Sequence, residues 1–571
     1  MNILHQLAAE AGVAREWTDA AGVEQCVADD DLQAILDALG IDVSSKAGML
    51  IALDQMADRR AHRPALFTAD CNEPVILPAA PLIGEDGAIV PCDPSLSGIP
   101  QPGYYHMELP DGILTVAIAP ERCPAIDRCR WGVSVQIPSL RGAGDFGDFA
   151  ALADAVTALG QMGADAVAIS PIHALSLDDP GRFAPYSPSS RLHLNALFGT
   201  TTGSGAGATA DLIDWTRAGP AKLSALRAQW AAQGERKDFA AYAEHHSREG
   251  LETAQRAARD AGMAIGLITD LAVGVDPSGS EAAASPHLFL QRLHIGAPPD
   301  PLGPHGQDWG LTSYSPQALV DSGFAPFIAM LRANIPQGGG IRLDHAFGLQ
   351  RLWVIPEGRP ASAGAYLSYP FEDMLRLVKL EAWRKQAIVI AEDLGTRPGG
   401  FSEALEASGI YGMAVLPFAR DEQGAFLCVD DYPGTSVAMS ATHDVATVAG
   451  WWTGRDLEWN VALARGGPTA AERALDRAAL WQVIGEGAPQ PADDDPAPVV
   501  DAAIAFLART ACPLVLIPME DLAGVVEQPN LPGTIEGHPN WRRRLPAPIA
   551  TLLAQPEVAA RIAGLNRARG A

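Results

Sequence analysis

Three short stretches of this chain place a carboxylate where catalysis would use one. They are Gly340-Ile341-Arg342-Leu343-Asp344-His345, Ile390-Ala391-Glu392-Asp393-Leu394-Gly395 and Ser440-Ala441-Thr442-His443-Asp444. Each begins as an apolar or small-residue run and leads into an acidic residue. Arg342 and Asp344 are two apart, so on an extended strand they share a face. The guanidinium there is expected to lower the pKa of Asp344 and keep it ionised. An ionised carboxylate beside a protonated one can displace a group at an acetal carbon with retention: one attacks, and the other gives its proton to the leaving oxygen. In that chemistry Asp344 is the nucleophile, Glu392 the acid and then the base, and Asp444 the stabiliser of the cationic state between them. A lone acidic residue at a strand end is more often a helix cap or turn residue. Three on one rim, two of them beside Arg or His, weigh against that reading.

Such a rim needs elements that end side by side. From Trp131 onward eight compact apolar segments recur: Val133–Ile137, Ala166–Ile169, Ala264–Ile268, Gly340–Leu343, Ala387–Ala391, Met413–Pro417, Val437–Ser440 and Pro513–Pro518. Near-continuous apolar strands suit a parallel sheet buried on both faces. Eight of them with helical stretches between predict an α/β chain, a (β/α)8 TIM barrel whose catalytic groups sit at the C-terminal strand ends. The intervals 200–260, 276–338 and 446–510 are too long for bare connections and read as insertions, the first and third rich in helix. Ahead of the barrel, residues 1–60 show helical spacing (Leu32, Ile35, Leu36, Leu39) with Gly40 as a C-cap. Residues 65–120 show short apolar runs (Pro74–Leu77, Gly103–Leu109, Ile113–Ile118) and the hairpin signal Glu85-Asp86-Gly87. We therefore expect a small N-terminal helical plus β module over 1–125 and a catalytic barrel over 126–571. Alternation puts Tyr104 and Tyr105 on opposite faces of one strand, so one of them is expected in the core.

Composition narrows the function. Of 571 residues, 48% are hydrophobic, enough for a large core, and the 56 Gly and 45 Pro have no period. A net charge of −27 argues against nucleic acid, which is bound through clustered Lys and Arg, and against anionic membranes. A neutral substrate such as a sugar is compatible with it. Seven Cys (26, 71, 92, 123, 129, 428, 512), odd in number and without a Cys-x-x-Cys pair, read as free thiols in a reducing cytoplasm. The start, Met-Asn-Ile-Leu-His-Gln, has no signal-peptide pattern, and no apolar run is long enough to cross a membrane. The acidic run Asp493-Asp494-Asp495 reads as a solvated loop.

The motifs together resemble the amylomaltases, the 4-α-glucanotransferases of glycoside hydrolase family 77. Arg342-Leu343-Asp344-His345 running on into Gly348–Trp353 is similar to that family's nucleophile motif. Ala391-Glu392-Asp393-Leu394-Gly395 is similar to its acid/base motif and Thr442-His443-Asp444 to its third. Pro185-Tyr186-Ser187-Pro188-Ser189-Ser190-Arg191, Glu527–Thr534 and Asn540-Trp541-Arg542-Arg543 match as well. The resemblance covers about residues 130–545. It implies transfer of α-1,4-glucan segments between maltodextrins through a covalent glycosyl-enzyme intermediate, with retention, release of glucose, and no metal or other cofactor. It also implies that Tyr186 stacks on the sugar at the cleavage point, that Arg342 supports the nucleophile and that His443 bonds sugar hydroxyls. Asp300, Gln307 and Trp309, in the stretch Pro299–Gly310, are the expected sugar contacts of an active-site loop. Asp270 is a further cleft candidate that reads almost equally as a buried structural Asp, and His173 reads as structural. Two departures stand out: Pro301 and Leu302 where some members carry an aromatic pair, and Ala184 where a Ser would add a hydrogen bond.

Three other readings compete. An α-amylase-like hydrolase shares the intermediate and differs in whether water or sugar meets it. A Mg²⁺-dependent barrel lyase or racemase needs a lysine base at a strand end, and none of the eight ends carries one. A non-catalytic glucan binder has no need of all three carboxylates. Trp215, Trp230, Trp383 and Trp451 read as packing residues, with a minority lining a sugar groove.

Overall fold

The computed structural model describes residues 2–19, 22–78, 80–90, 98–110, 112–201, 210–234, 238–299, 303 and 305–570. Its centre is an eight-stranded parallel barrel: β1 (Arg130–Val135), β2 (Ala166–Ile169), β3 (Gly266–Leu271), β4 (Gly340–Leu343), β5 (Ile388–Ala391), β6 (Gly412–Val415), β7 (Ser436–Met439) and β8 (Leu514–Pro518). Neighbours pair in the order β5-β4-β3-β2-β1-β8-β7-β6. Closure runs through Tyr411, just ahead of β6, which bridges Ile390 and exchanges backbone hydrogen bonds with Val389 and Ala391. Ile268, Ile388, Ile390, Met413, Val437 and Leu514 fill the barrel's interior. Larger clusters, one around Trp131, Phe149 and Leu507 and the other around Leu331, Leu343 and Leu377, cement strands to the surrounding helices. Both faces of the sheet are thus covered, which is why the strands are apolar throughout.

All eight expected segments fall on barrel strands; Ala166–Ile169 and Gly340–Leu343 keep their bounds, and the other six shift at one end or both. β1 starts three residues before Val133 and stops at Val135, while Ile137 belongs to a 3-10 turn, Ile137–Ser139. β6 stops at Val415, and Leu416–Phe418 is again a 3-10 turn. β3 runs on past Ile268 to Leu271, so Asp270 lies within the strand and not beyond it. Apolar residues continue into the turns, and buried polar residues continue β3; neither boundary is written in hydropathy. Among the described residues an α-helix covers six of the seven strand connections. The link from β6 to β7 has none, only the turns Leu416–Phe418 and Val429–Asp431 and a short hairpin bridged between Arg420 and Phe426.

The long intervals are partly barrel and partly addition. Helix Phe239–Asp260 packs on helix Phe149–Gln161 as an ordinary barrel helix. Within 276–368, strands Gln307–Leu311, Leu293–Ala297, Arg351–Pro356 and Ala365–Ser368 form an antiparallel sheet beside the barrel mouth. Residues 446–510 supply four helices.

Ahead of the barrel lie helices Ile3–Glu10, Asp29–Ala38 and Lys46–Ala61, a hairpin (Glu16–Thr18 with Glu24–Cys26) and a five-stranded sheet. Gly40, with φ of 78°, follows helix Asp29–Ala38 and donates its N–H to Asp37. The 85–87 turn closes with Gly87 at φ 79° and Leu82 paired to Val90. Pro74–Leu77 is not a strand, whereas Leu66–Asp70 is. The sheet lies on helix Phe371–Lys385, where Tyr104 donates to Glu381 at 2.8 Å and Arg376 pairs with Asp70 and Glu73, both at 3.1 Å. Tyr105 lies in the sheet's own core. Both tyrosines are therefore buried, so neither is free to stack on sugar.

Candidate active site

The parallel register fixes the site's base. Asp270 of β3 and Arg342 of β4 are paired Cα neighbours, so their side chains lie side by side. Arg342 Nη1 donates to both oxygens of Asp270, at 2.8 and 2.9 Å, and to Asp344 Oδ1 at 3.0 Å. Tyr186 donates its hydroxyl to Asp270 Oδ2 at 2.5 Å. Asp270, buried on β3, therefore orients both the arginine and the tyrosine, a positioning role that its sequence context left open. The Tyr186 ring stacks on His443, with centroids 4.7 Å apart and planes 22° from parallel, and Trp541 lies 5.6 Å away.

The chain turns sharply after β4. His345 adopts a left-handed backbone, φ 43°, and this turn aims its N–H at Glu392 Oε2, 2.9 Å away. Leu394 donates its N–H to Oε1 at 2.9 Å. Both oxygens of Glu392 are thus fixed by backbone donors, one of them from the residue that follows Asp344. Trp309 sets its ring edge-on to His345 at 5.0 Å, and Gln307 accepts from the Trp309 indole N–H at 3.2 Å. The antiparallel sheet thereby reaches the β4 end. Asp300 lies outside the described residues, as do Pro301 and Leu302.

After β7, His443 Nε2 meets Asp444 Oδ2 at 3.2 Å, and Asn530 donates to Asp444 Oδ1 at 2.7 Å. The His443 carbonyl also receives the Asn530 N–H at 3.2 Å. Asn530 and Trp541 belong to the 527–543 stretch, whose motif was legible in sequence but whose placement against Asp444 and Tyr186 was not. The strand-end rule applied to β8 also leads to Glu520, which lines the cavity at the barrel mouth with Gln136, Asp270, Arg342 and His443.

The electrostatics separate the carboxyls. Burial pushes Asp344 up to about 6, against the pull of Arg342. Burial likewise pushes Glu392 up to about 7, again with Arg342 pulling down, and the neighbouring Asp344 adds to the rise. The expectation that Arg342 leaves Asp344 lowered is corrected here: the guanidinium does pull down, but desolvation in the barrel mouth is larger. Both carboxyls therefore sit above the ordinary carboxylate range. Asp444 moves the other way; burial raises it, but the attraction of His443 and the hydrogen bonds from His443 and Asn530 prevail, and it ends lowered. His443 is raised, because Asp444 outweighs desolvation. His173 accepts the Ala272 N–H at 3.1 Å and is pushed down to about 3 by burial, a neutral structural residue. Trp215 is core, stacked on Phe183, and Trp383 is 37% exposed. Among the described residues no group of three or more His, Cys, Asp or Glu is placed to hold a metal ion.

A family model described as 4-alpha-glucanotransferase matches residues 135–248 and 205–550. The 4-alpha-glucanotransferase of Haemophilus influenzae is 28% identical over 82% of this chain and 84% of its own. That of Mycobacterium tuberculosis is 27% identical over 95% and 94%. Among solved structures, the amylomaltase of Corynebacterium glutamicum superposes with a TM-score of 0.90 at 25% identity, over 99% of both chains. An amylomaltase from Streptococcus agalactiae, 17% identical with a TM-score of 0.59 over 77% of this chain and 99% of its own, shares the fold.

Proposed function

The chain belongs to the 4-alpha-glucanotransferases of glycoside hydrolase family 77, and from that premise we propose how its residues divide the transfer of α-1,4-glucan segments. The enzyme moves a glucan segment from donor to acceptor through a covalent glycosyl-enzyme intermediate, with retention. In the first half, a carboxylate oxygen of Asp344 bonds to the anomeric carbon as the glycosidic C–O bond breaks. Glu392 gives its proton to the departing oxygen. In the second half, an acceptor hydroxyl gives its proton to Glu392 and bonds to the same carbon, which frees Asp344. Two inversions return the original α configuration. Asp444, held ionised by His443 and Asn530, faces the positive charge that develops between the two. Arg342 keeps Asp344 available as a carboxylate, and Tyr186, His443, Gln307, Trp309, Asp300 and Asp270 shape the sugar site.

The observation that carries this reading is the grip on Glu392. Its two oxygens take N–H bonds from His345 and Leu394, so the residue after the nucleophile holds the acid in place. The substrates we propose are maltodextrins, with glucose released when the donor is short. The six described cysteines are free, and among the described residues no helix is long and apolar enough to cross a membrane. We place the enzyme in the cytoplasm on its cysteine usage. Carboxylates alone supply both half-reactions, so no cofactor enters the scheme.

The test uses Glu392→Gln enzyme with α-maltosyl fluoride, whose leaving group needs no acid. A peptide carrying two glucosyl units on Asp344 should accumulate and be seen by mass spectrometry. An adduct on any other residue, or none with the fluoride consumed, would remove Asp344 from the role.

A further inference from the structure

The outer wall of the barrel holds a cavity of about 340 Å³ that the reaction does not use. It exists because the β6-to-β7 connection forms no helix: turns Leu416–Phe418 and Val429–Asp431 leave uncovered what an α-helix covers elsewhere. Asp393, Arg397, Ser402, Glu406, Phe418 and Thr435 are in its wall. It shares Met413 with the lining of the mouth cavity and none of that cavity's charged residues. Asp393 follows Glu392 directly, yet its carboxylate lines the outer cavity and takes the Met413 N–H at 2.8 Å, which closes the seam between β5 and β6.

The wall's chemistry narrows the ligand. Both arginines are already matched, Arg397 with Asp393 at 3.2 Å and Arg420 with Asp476 at 3.1 Å. Glu406 adds a further negative charge, and the whole chain carries −27. A phosphate or other anion finds no free positive charge here. An apolar ligand fits no better, since it would cover the Ser402 and Thr435 hydroxyls and the Arg397 guanidinium without giving them partners. What remains is a neutral molecule with hydroxyls for the polar wall and an apolar face for the ring of Phe418, which is 46% exposed. That is the chemistry of a pyranose, whose C–H face packs on an aromatic ring while its rim hydrogen-bonds. The volume lies within the range of about 300–1,000 Å³ of small-molecule pockets.

We propose that this cavity is a second saccharide site, taking the neutral glucosyl units of an α-glucan; the glucan identity rests on the function proposed above. Its wall contains none of Asp344, Glu392 and Asp444, so it holds chain without cutting it. The benefit falls on long donors, which can occupy cavity and cleft together, and not on short ones.

Two variants in the full chain test this: Phe418→Ala, which removes the ring, and Ser402→Trp, which fills the space. In the Asp344→Asn background, calorimetric titration with maltotriose should show two sites per chain, and either variant should leave one. In the active enzyme, kcat/KM on maltotriose should stay within about twofold, as for distant sites. KM for amylose should rise at least about fivefold on loss of one ring contact. A single site unmoved by both variants overturns the proposal and leaves the proposed function standing. Failure of maltotriose to bind the Asp344→Asn chain at all overturns both.

Discussion

Arg342→Met is the perturbation on which the electrostatics make the sharpest claim. One nitrogen of Arg342 serves Asp270 at 2.8 Å and Asp344 at 3.0 Å, and all three side chains are mostly buried. Asp344 stands at about 6 with the guanidinium present, so about nine in ten molecules carry the ionised nucleophile at pH 7. An opposite charge at this range is worth roughly 1–3 pKa units. Taking about 2, loss of the charge moves Asp344 to about 8 and leaves roughly one molecule in ten ionised at pH 7. Glu392 also rises, since Arg342 pulls it down too, so the acid remains protonated to higher pH. The expected result is a loss in kcat/KM of about tenfold or more at pH 7, with the acid limb moved alkaline by about 2 units. Activity should therefore recover in part above pH 8. Breaking a buried pair costs about 3–5 kcal/mol. Asp344 then sits still further above its unfolded pKa, so the variant's stability falls as pH rises and its melting temperature is closest to wild type in acid. The assay is glucose release from maltotriose across pH 5–9, with melting curves alongside. An acid limb in the wild-type position refutes the claim that Arg342 sets the charge of Asp344, however large the rate loss.

Three further outcomes are expected. The wild-type kcat/KM profile should be a narrow bell, rising near pH 6 as Asp344 loses its proton and falling near pH 7 as Glu392 loses its own; the limbs belong to the coupled pair. A plateau spanning pH 5 to 9 contradicts it. Glu392→Gln should be more stable than wild type at pH 8, by about 3 kcal/mol at most. The sign follows from a folded pKa near 7 against 4.5 for the free group: below about 4.5 both states are protonated and no penalty exists, and the penalty is complete above about 7. Equal melting temperatures at pH 8 and pH 4 would show that Glu392 bears no such cost. Asp344→Asn should lower turnover by at least roughly 10³-fold while melting as a folded enzyme; near-normal rates in a folded variant remove Asp344 as nucleophile.

Much of the barrel was legible because its strands are buried on both faces. Gly340–Leu343 and Ala166–Ile169 match their expected bounds. The ends blurred where hydropathy carries no information. Ile137 and Leu416 are as apolar as the strands before them, yet they lie in 3-10 turns. Thr269 and Asp270 look like a strand end, but Thr269 donates to the Asn334 carbonyl at 2.7 Å and Asp270 is neutralised by Arg342, so β3 continues through them. The strand-end carboxylates could be picked out because the fold itself puts such positions at one rim. Asn530 and Trp541 could not be placed, since their partners Asp444 and Tyr186 lie far away in the chain and only the closed barrel brings them together. The pull of Arg342 on Asp344 was readable from spacing of two; the larger opposing effect of burial was not, because depth in the mouth is a property of the assembled fold.

The central claim is that sugar, and not water, completes the second displacement, and incubation with maltotriose alone tests it most directly. Chromatography should show a ladder of oligosaccharides longer than the starting material together with free glucose, with total reducing ends unchanged. Glucose and maltose alone, with reducing ends rising as bonds are cut, would mean that water takes the intermediate and would contradict the account.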